Sequence, residues 1–329
     1  MSKSTKSATH GMLLGKFLPP HLGHVYLADF ARHYVDHLTI IVGTLSNEPI
    51  DGELRYQWMK ELCPHANVVH LKKDLPQDPS EHPDFWNIWR TELEAILPNT
   101  PDVVFASESY GHRLAEELGA KFIPVDPQRE SRAVSGTTIR DNPYENWNLI
   151  PNIVKPYYLK RVCVFGPEST GKSTLTANLA KHFNTIGVKE YARTYLEELG
   201  TELQQEQLVE IARGQLSSET ALTPYSNKLL IADTDLLLTT VWSQFLYGSC
   251  DPWITEEAQN HDYDLYLLTD VDVPWVKDDV RYLPNDRENF LDLCEQTLIE
   301  NNRNYIKLSG SWEDRTQKAI EAVAQLISI

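Results

Sequence analysis

The chain has little that would tie it to a membrane, a metal–thiolate site or nucleic acid. Its 329 residues include four cysteines (Cys63, Cys163, Cys250 and Cys294), widely scattered and without a C-x-x-C pair. That excludes a sequence-readable zinc ribbon or thioredoxin-type dithiol and fits a reducing compartment. No apolar run approaches the roughly 18–20 residues that span a bilayer. Residues 1–11, MSKSTKSATHG, lack the apolar segment of a signal peptide. Basic residues are outnumbered, 30 Lys+Arg against 47 Asp+Glu for a net charge of −17. Residues 1–155 carry 15 basic and 20 acidic groups, and residues 156–329 carry 15 and 27. Both halves therefore repel polyanions, which disfavours general nucleic-acid binding. These absences predict a cytoplasmic protein with no nucleic-acid partner and no membrane insertion, and leave a homo-oligomer open.

What is present is the pattern of parallel-sheet α/β folds, short apolar runs alternating with longer amphipathic ones. Strands are predicted at 12–17, 37–43, 66–71, 102–107 and 120–125, then at 160–166, 227–235, 263–269 and 304–309. Helices are predicted near 22–34, 52–62, 84–97 and 109–119, then near 172–184, 202–221, 235–247, 286–300 and 312–328. The stretch 141–156, DNPYENWNLIPNIVKP, holds three prolines and four asparagines and breaks regular structure. It is the predicted linker, and its apolar Trp147, Leu149 and Ile150 predict that it packs on a domain. The expected layout is a flexible arm over 1–11, one domain over 12–155 and a second over 156–329.

The second half contains Gly166-Pro-Glu168-Ser169-Thr170-Gly171-Lys172-Ser173-Thr174, a full G-x-x-x-x-G-K-S match between a predicted strand and a predicted helix. Glycines let the backbone wrap a phosphate, and successive N–H groups then point inward. Lys172 would reach the β- and γ-phosphates of ATP and Ser173 would ligate Mg²⁺. The partner carboxylate is Asp233 or Asp235 in LLIADTD, with Asp233 preferred because Asp235 also suits a helix N-cap. Glu190 lies in VKEYARTY, where a second strand should end, among Tyr191, Arg193 and Tyr195. A carboxylate beside aromatic and guanidinium groups suits a nucleoside-like acceptor. The charged, Pro-interrupted stretch 269–287 reads as a lid, with Arg281 and Arg287 closing on phosphate and Trp275 over an acceptor ring.

In the first half, Gly15-Lys16-Phe17-Leu18-Pro19-Pro20-His21-Leu22-Gly23-His24 follows a predicted strand and opens a predicted helix. His21 and His24, at i and i+3, share a helix face and can donate to phosphate oxygens around a pentacovalent centre. Gly23 leaves room for a ligand to approach. No third His, Cys or Glu stands at a zincin spacing. Ser135-Gly136-Thr137-Thr138-Ile139-Arg140 sets hydroxyls and a guanidinium at a helix start, a pattern suited to triphosphate. Trp86 and Trp89 lie at i, i+3, and an exposed indole face attracts a cationic ring such as nicotinamide.

These motifs form a known combination. The segment from Gly15 to His24 resembles the GxFxPxHxGH signature of the HIGH-type nucleotidyltransferases, and Ser135–Arg140 resembles their SGTxIR signature. With GPESTGKST, KEYAR, IADTD and DVPWVKDDVR downstream, the chain is similar to the NadR-type bifunctional enzymes over nearly its whole length. The resemblance implies two doubly wound parallel-sheet domains, a Rossmann-like nucleotidyltransferase followed by a P-loop kinase. It implies that the kinase converts ribosylnicotinamide and ATP to nicotinamide mononucleotide, and that the first domain joins the mononucleotide to a second ATP, giving NAD and pyrophosphate. His21 and His24 would bind ATP phosphates, Ser135, Thr137 and Arg140 the triphosphate, and Glu190 or an Asp the ribosylnicotinamide hydroxyls. Some family members carry an N-terminal helix-turn-helix domain. Here the first predicted strand begins at residue 12, which leaves no room for one and argues against a DNA-binding repressor. Two alternatives stay open: an adenylyltransferase/kinase fusion acting on another small acceptor, and a nucleotide-sensing regulatory protein.

Overall fold

The computed structural model describes residues 8–128, 130, 133–199, 203–276 and 285–327. The apolar runs form two five-stranded sheets in which every described pairing between strands is parallel. The first holds β1 (His10–Gly15), β2 (His37–Thr44), β3 (Asn67–Lys72), β4 (Val103–Ala106) and β5 (Lys121–Pro124), in the order β3-β2-β1-β4-β5. The second holds β6 (Lys160–Phe165), β7 (Ile186–Val188), β8 (Leu229–Asp233), β9 (Leu265–Thr269) and β10 (Tyr305–Leu308), in the order β10-β9-β6-β8-β7. The chain divides into two compact units, residues 1–155 and 156–329, each built on one sheet.

Parallel strands covered on both faces read as continuous apolar runs rather than alternating ones. Thus β4 (VVFA), β8 (LLIAD) and β9 (LYLLT) are buried at every position. In the first unit Leu13, Ile40, Val42 and Phe105 pack one face of the sheet, and Met12, Ile41, Val104 and Leu93 pack the other. In the second, Val162, Val164, Ile231 and Leu267 pack against Leu175 and Leu179 of the helix Lys172–His182. In open α/β sheets, ligands bind outside the carboxyl ends of strands where the winding reverses. β1 and β6 are the central strands, and the histidine loop and the P-loop leave their carboxyl ends.

The nine predicted helices are present, each end within two residues except the start predicted at 202, which lies five residues before Gln207, and every predicted strand end lies within two residues of the observed one. The first strand starts at His10, inside the segment expected to be a flexible arm, because the His10 N–H donates to Asp102 (2.8 Å). It ends at Gly15 because Phe17 turns to φ 47. The helices Lys155–Tyr158, Tyr191–Leu199 and Pro252–Asn260 and the short turns Trp147–Leu149 and Thr223–Tyr225 were not predicted, whereas β7 ends at Val188, two residues before Glu190, where a second strand was expected to end. Linker residues Trp147 and Ile150 are buried, with Trp147 stacked on Tyr144. Among the described residues no helix is long and apolar enough to cross a membrane.

Candidate functional site

At the carboxyl end of β1 a cavity of about 870 Å³ collects residues distant in sequence, from the histidine loop, Trp86, Trp89 and the segment Ser135–Arg140. His21 caps the helix Leu22–Tyr34, its Nδ1 accepting the His24 N–H while the His24 Nδ1 accepts the His21 N–H, both at 3.3 Å. A neutral imidazole with Nδ1 engaged as acceptor carries its proton on Nε2. The capping exchange therefore makes Nε2–H the donor edge of both rings. The rings stack at 3.6 Å, and the buried Phe17 meets His24 edge-on at 4.9 Å. A Cβ on Gly23 would stand 3.0 Å from the His21 ring, tighter than ordinary contact. The close neighbour is thus His21 itself. Across the loop, the Arg140 guanidinium donates to the Leu18 carbonyl and to Thr137 Oγ1 (3.1 Å), and Ser135 Oγ accepts the Thr138 N–H (3.1 Å). The two signature segments are thereby joined.

The support beneath the loop was not legible as a site. Arg55 is fully buried, donating from Nε to the Ile50 carbonyl (3.1 Å), from one terminal nitrogen to the Lys16 carbonyl (2.6 Å) and from the other to Glu48. Glu48 also accepts the Leu45 N–H (3.0 Å) and pairs with the Lys16 ammonium (3.3 Å). Burial pushes the Glu48 carboxyl up, but the Leu45 N–H and Arg55 outweigh it and hold it below its ordinary range.

In the second unit the P-loop wraps with positive φ at Gly166 (130°), Ser169 (59°) and Gly171 (84°). Such an alternation of backbone hand turns successive N–H groups toward one anion. Thr170, itself buried, ties the loop to the Pro167 carbonyl and to Thr269 Oγ1, both at 2.7 Å. Lys172 is buried, its ammonium donating to the Pro167 carbonyl (2.9 Å). A cavity of about 200 Å³ beside the loop is lined by Glu168, Ser169, Gly171, Lys172, Ser173 and Thr174, and across from them by Glu190, Arg193, Gln215, Asp235 and Trp242. Asp233 is buried against Ser173, and its Oδ1 has no hydrogen-bond partner among the described residues. Burial raises the carboxyls of Asp233 and Glu190; Lys172 opposes this at both, and Asp233 pushes Glu190 further up. Asp235 is pushed up to about 6 by burial.

A family model described as an AAA domain matches residues 161–315. The trifunctional NAD biosynthesis/regulator protein NadR of Escherichia coli (strain K12) is 30% identical over 343 residues, covering 97% of this chain and 83% of that protein. The chain belongs to the NadR family. A nicotinamide-nucleotide adenylyltransferase of Pyrococcus furiosus is 30% identical over 156 residues, 45% of this chain and 81% of that enzyme. A crystal structure of a NadR protein in complex with NR superposes with a TM-score of 0.80 at 23% identity, covering 98% of each chain, and so shares the fold.

Within this NadR-family chain four expected residues take other places. Asp235, expected as a metal ligand beside Asp233, caps the helix Leu236–Tyr247: Oδ1 accepts the Leu238 N–H (2.9 Å) and Oδ2 the Tyr266 hydroxyl (2.8 Å). Tyr191, expected on the acceptor, packs its ring on Gly214, where a Cβ would stand 2.0 Å from it. Trp275, expected over the acceptor ring, donates from Nε1 to Glu168 (3.1 Å) while the next residue's N–H donates to Ser169 Oγ (2.8 Å), so it braces the P-loop. Arg287 donates to the carbonyls of Val273 (2.9 Å) and Ser169 (3.5 Å), anchoring that segment. Arg281 lies outside the described residues. Gly166 and Thr170 shape the loop from beneath, since a Cβ on Gly166 would stand 2.9 Å from the Thr269 carbonyl. Trp242 lines the cavity beside the P-loop. It was not predicted because the apolar run LLLTTVW around it reads as core. In the first unit Trp89 is anchored through Nε1 to the Pro76 carbonyl (2.8 Å), and the Arg113 guanidinium lies 5.9 Å from the Trp86 ring centre.

Proposed function

We propose that this chain is a cytoplasmic NAD-salvage enzyme with one reaction in each unit. The second unit phosphorylates ribosylnicotinamide with ATP, and the first adenylylates the resulting mononucleotide with a second ATP, releasing pyrophosphate. One observation carries the reading: two sets of expected phosphate-binding residues lie on one chain of the NadR family, with His21 and His24 paired in one unit and Lys172, Ser173 and Asp233 gathered in the other.

In the kinase unit, P-loop N–H groups and Lys172 bind the β- and γ-phosphates. The ribose 5′-hydroxyl oxygen attacks the γ-phosphorus, the bond to the β-bridging oxygen breaks, and ADP leaves. Glu190 orients that hydroxyl and takes its proton; the burial that raises its carboxyl makes it a better acceptor. Ser173 Oγ and Asp233 fit Mg²⁺, because Asp233 keeps an unpartnered buried oxygen beside Ser173. Bound there, Mg²⁺ would neutralise charge on the transferring phosphoryl group. Trp242 and Arg193 border the acceptor end.

In the first unit a mononucleotide phosphate oxygen attacks the α-phosphorus of ATP and pyrophosphate leaves. No proton has to move. The task is to hold two polyanions together and stabilise the pentacovalent centre. The Nε2–H edges of His21 and His24 supply donors, with Lys16, Thr137 and Arg140 around them. Trp86 and Trp89 offer indole surface for the nicotinamide ring.

Single-site variants separate the two reactions. Lys172→Ala should make NAD only when given the mononucleotide, and His24→Ala should stall at the mononucleotide. A wild-type protein that leaves ribosylnicotinamide untouched but phosphorylates another nucleoside would overturn the acceptor assignment.

A further inference from the structure

We propose that Gln215 is a positioning residue for the kinase acceptor site: its buried amide holds in register the two strand ends that carry Glu190 and Asp233, and Glu219 behind it fixes which way the amide faces. This rests on the kinase reading above and adds to it residues that no motif marks.

Gln215 lies in the helix Gln207–Leu222 and is 2% exposed. Its Oε1 accepts the backbone N–H of Tyr191 (3.0 Å), the residue after Glu190. Its Nε2 donates to the backbone carbonyl of Thr234 (3.4 Å), the residue after Asp233, and to Glu219 Oε1 (3.3 Å). The Tyr191 nitrogen can only donate, and the Thr234 and Glu219 oxygens accept. One orientation of the amide therefore satisfies all three, and its flip satisfies none. A single planar group thus spans the segments that follow β7 and β8.

The span matters because the Asp233 end is strained. Thr234 has φ 70°, the left-handed region, which a β-branched residue rarely adopts. Such a conformation persists only where its surroundings over-determine it, and such residues gather at functional sites. Here the Thr234 N–H donates to the Val164 carbonyl (3.1 Å) and its carbonyl accepts from Gln215, so the peptide groups on both sides are held. Without the amide, Thr234 can relax, and Asp233 on one side and the Asp235 cap on the other move with it. Glu219 is fully buried, yet its second oxygen meets His261 Nε2 (2.9 Å) and lies 3.7 Å from an Arg161 nitrogen. That support keeps an acceptor facing the Gln215 NH₂ and opposes an amide flip.

The test compares Gln215→Glu, which keeps the shape and the bond to Tyr191 but cannot donate to Thr234, with Gln215→Met, which loses both bonds at similar length. Kinase kcat should fall about 10- to 100-fold in each, the order expected when reacting groups are misplaced by about an ångström. The KM for ATP should stay within about twofold, because the P-loop is untouched, and adenylyl transfer by the same samples should be unchanged. The proposal is overturned by a kcat within about twofold of wild type, or by kcat and ATP KM worsening together with a fall in Tm, the mark of a merely structural role. If Gln215→Met does not fold, Gln215→Glu decides; failure of both to fold also overturns the positioning role. Wild type assayed alongside keeps the two readings apart. No phosphorylation of ribosylnicotinamide by wild type rejects the acceptor assignment, whereas loss confined to the variants supports the role of Gln215.

Discussion

Replacing Arg55 with methionine should separate the two units thermodynamically. Arg55 is fully buried and ends on three acceptors, the Ile50 and Lys16 carbonyls and the Glu48 carboxylate. Methionine fills much of the volume but donates to none of them, and Glu48, nearly buried itself, keeps its negative charge with only the more exposed Lys16 ammonium and the Leu45 N–H on it. Removing one partner of a buried ion pair costs about 3–5 kcal/mol, mostly through the charge left behind. At a urea m-value of about 2 kcal/mol/M, that lowers the unfolding midpoint of the first unit by about 2 M. Pulsed hydrogen exchange across a urea series, read from peptides of β1 and β2 against peptides of β6 and β8, measures each unit separately.

Two controls define the mechanism. Adding Glu48→Gln to Arg55→Met removes the stranded charge and should recover about 1–3 kcal/mol. The pH dependence should weaken. In wild type, Glu48 is held below its ordinary range, so its stabilising contribution is present above that range and is lost as pH falls through the lowered value. In Arg55→Met only the Leu45 N–H and Lys16 still oppose burial, so the carboxyl rises and less stability is lost on acidification as Glu48 takes up a proton. The reasoning is refuted if the first unit's midpoint is unmoved, or if both units shift together.

Other expectations follow from the second unit. Asp233→Asn should lower kinase kcat by at least about 100-fold and weaken its dependence on Mg²⁺. Asp235→Asn should keep most activity, because asparagine caps about as well as aspartate; equal losses in the two would contradict the division between ligand and cap. The acid limb of the kinase kcat profile should lie above the ordinary carboxylate range, since burial raises Glu190 and its protonated form cannot accept the hydroxyl proton. Glu190→Gln should lower kcat and abolish that limb; a limb that persists unchanged assigns it to another group. Gly171→Ala should abolish kinase turnover while sparing adenylyl transfer, because φ there is 84° and a Cβ would stand 2.3 Å from the Trp312 ring.

Residues whose role depends on local chain chemistry were readable. The strands are continuous apolar runs, and the P-loop carries Gly166 and Gly171 where backbone hand must change. Less was legible where the role depends on a distant partner. β7 spans three residues, one of them Gly187, too short for a periodicity, so only a strand end near Glu190 was expected there. Arg55 and Gln215 look like ordinary polar helix residues until carbonyls from other segments close on them. Asp233 and Asp235 are both acids near one strand end, and what separates them is a hydroxyl from Tyr266, 31 positions beyond Asp235. Tyr191 and Trp275 were assigned to the acceptor by their chemistry alone, while packing on Gly214 and the bond to Glu168 decide where the rings lie. Trp242 was passed over for the converse reason, as an aromatic in an apolar run.

That two reactions run in series on one chain is tested most directly by product stoichiometry. Wild-type protein with ribosylnicotinamide, Mg²⁺ and excess ATP should show the mononucleotide rising and then falling as NAD accumulates. One ADP and one pyrophosphate should form for each NAD. ADP without pyrophosphate, pyrophosphate formed only from mononucleotide supplied from outside, or no turnover of ribosylnicotinamide would contradict it.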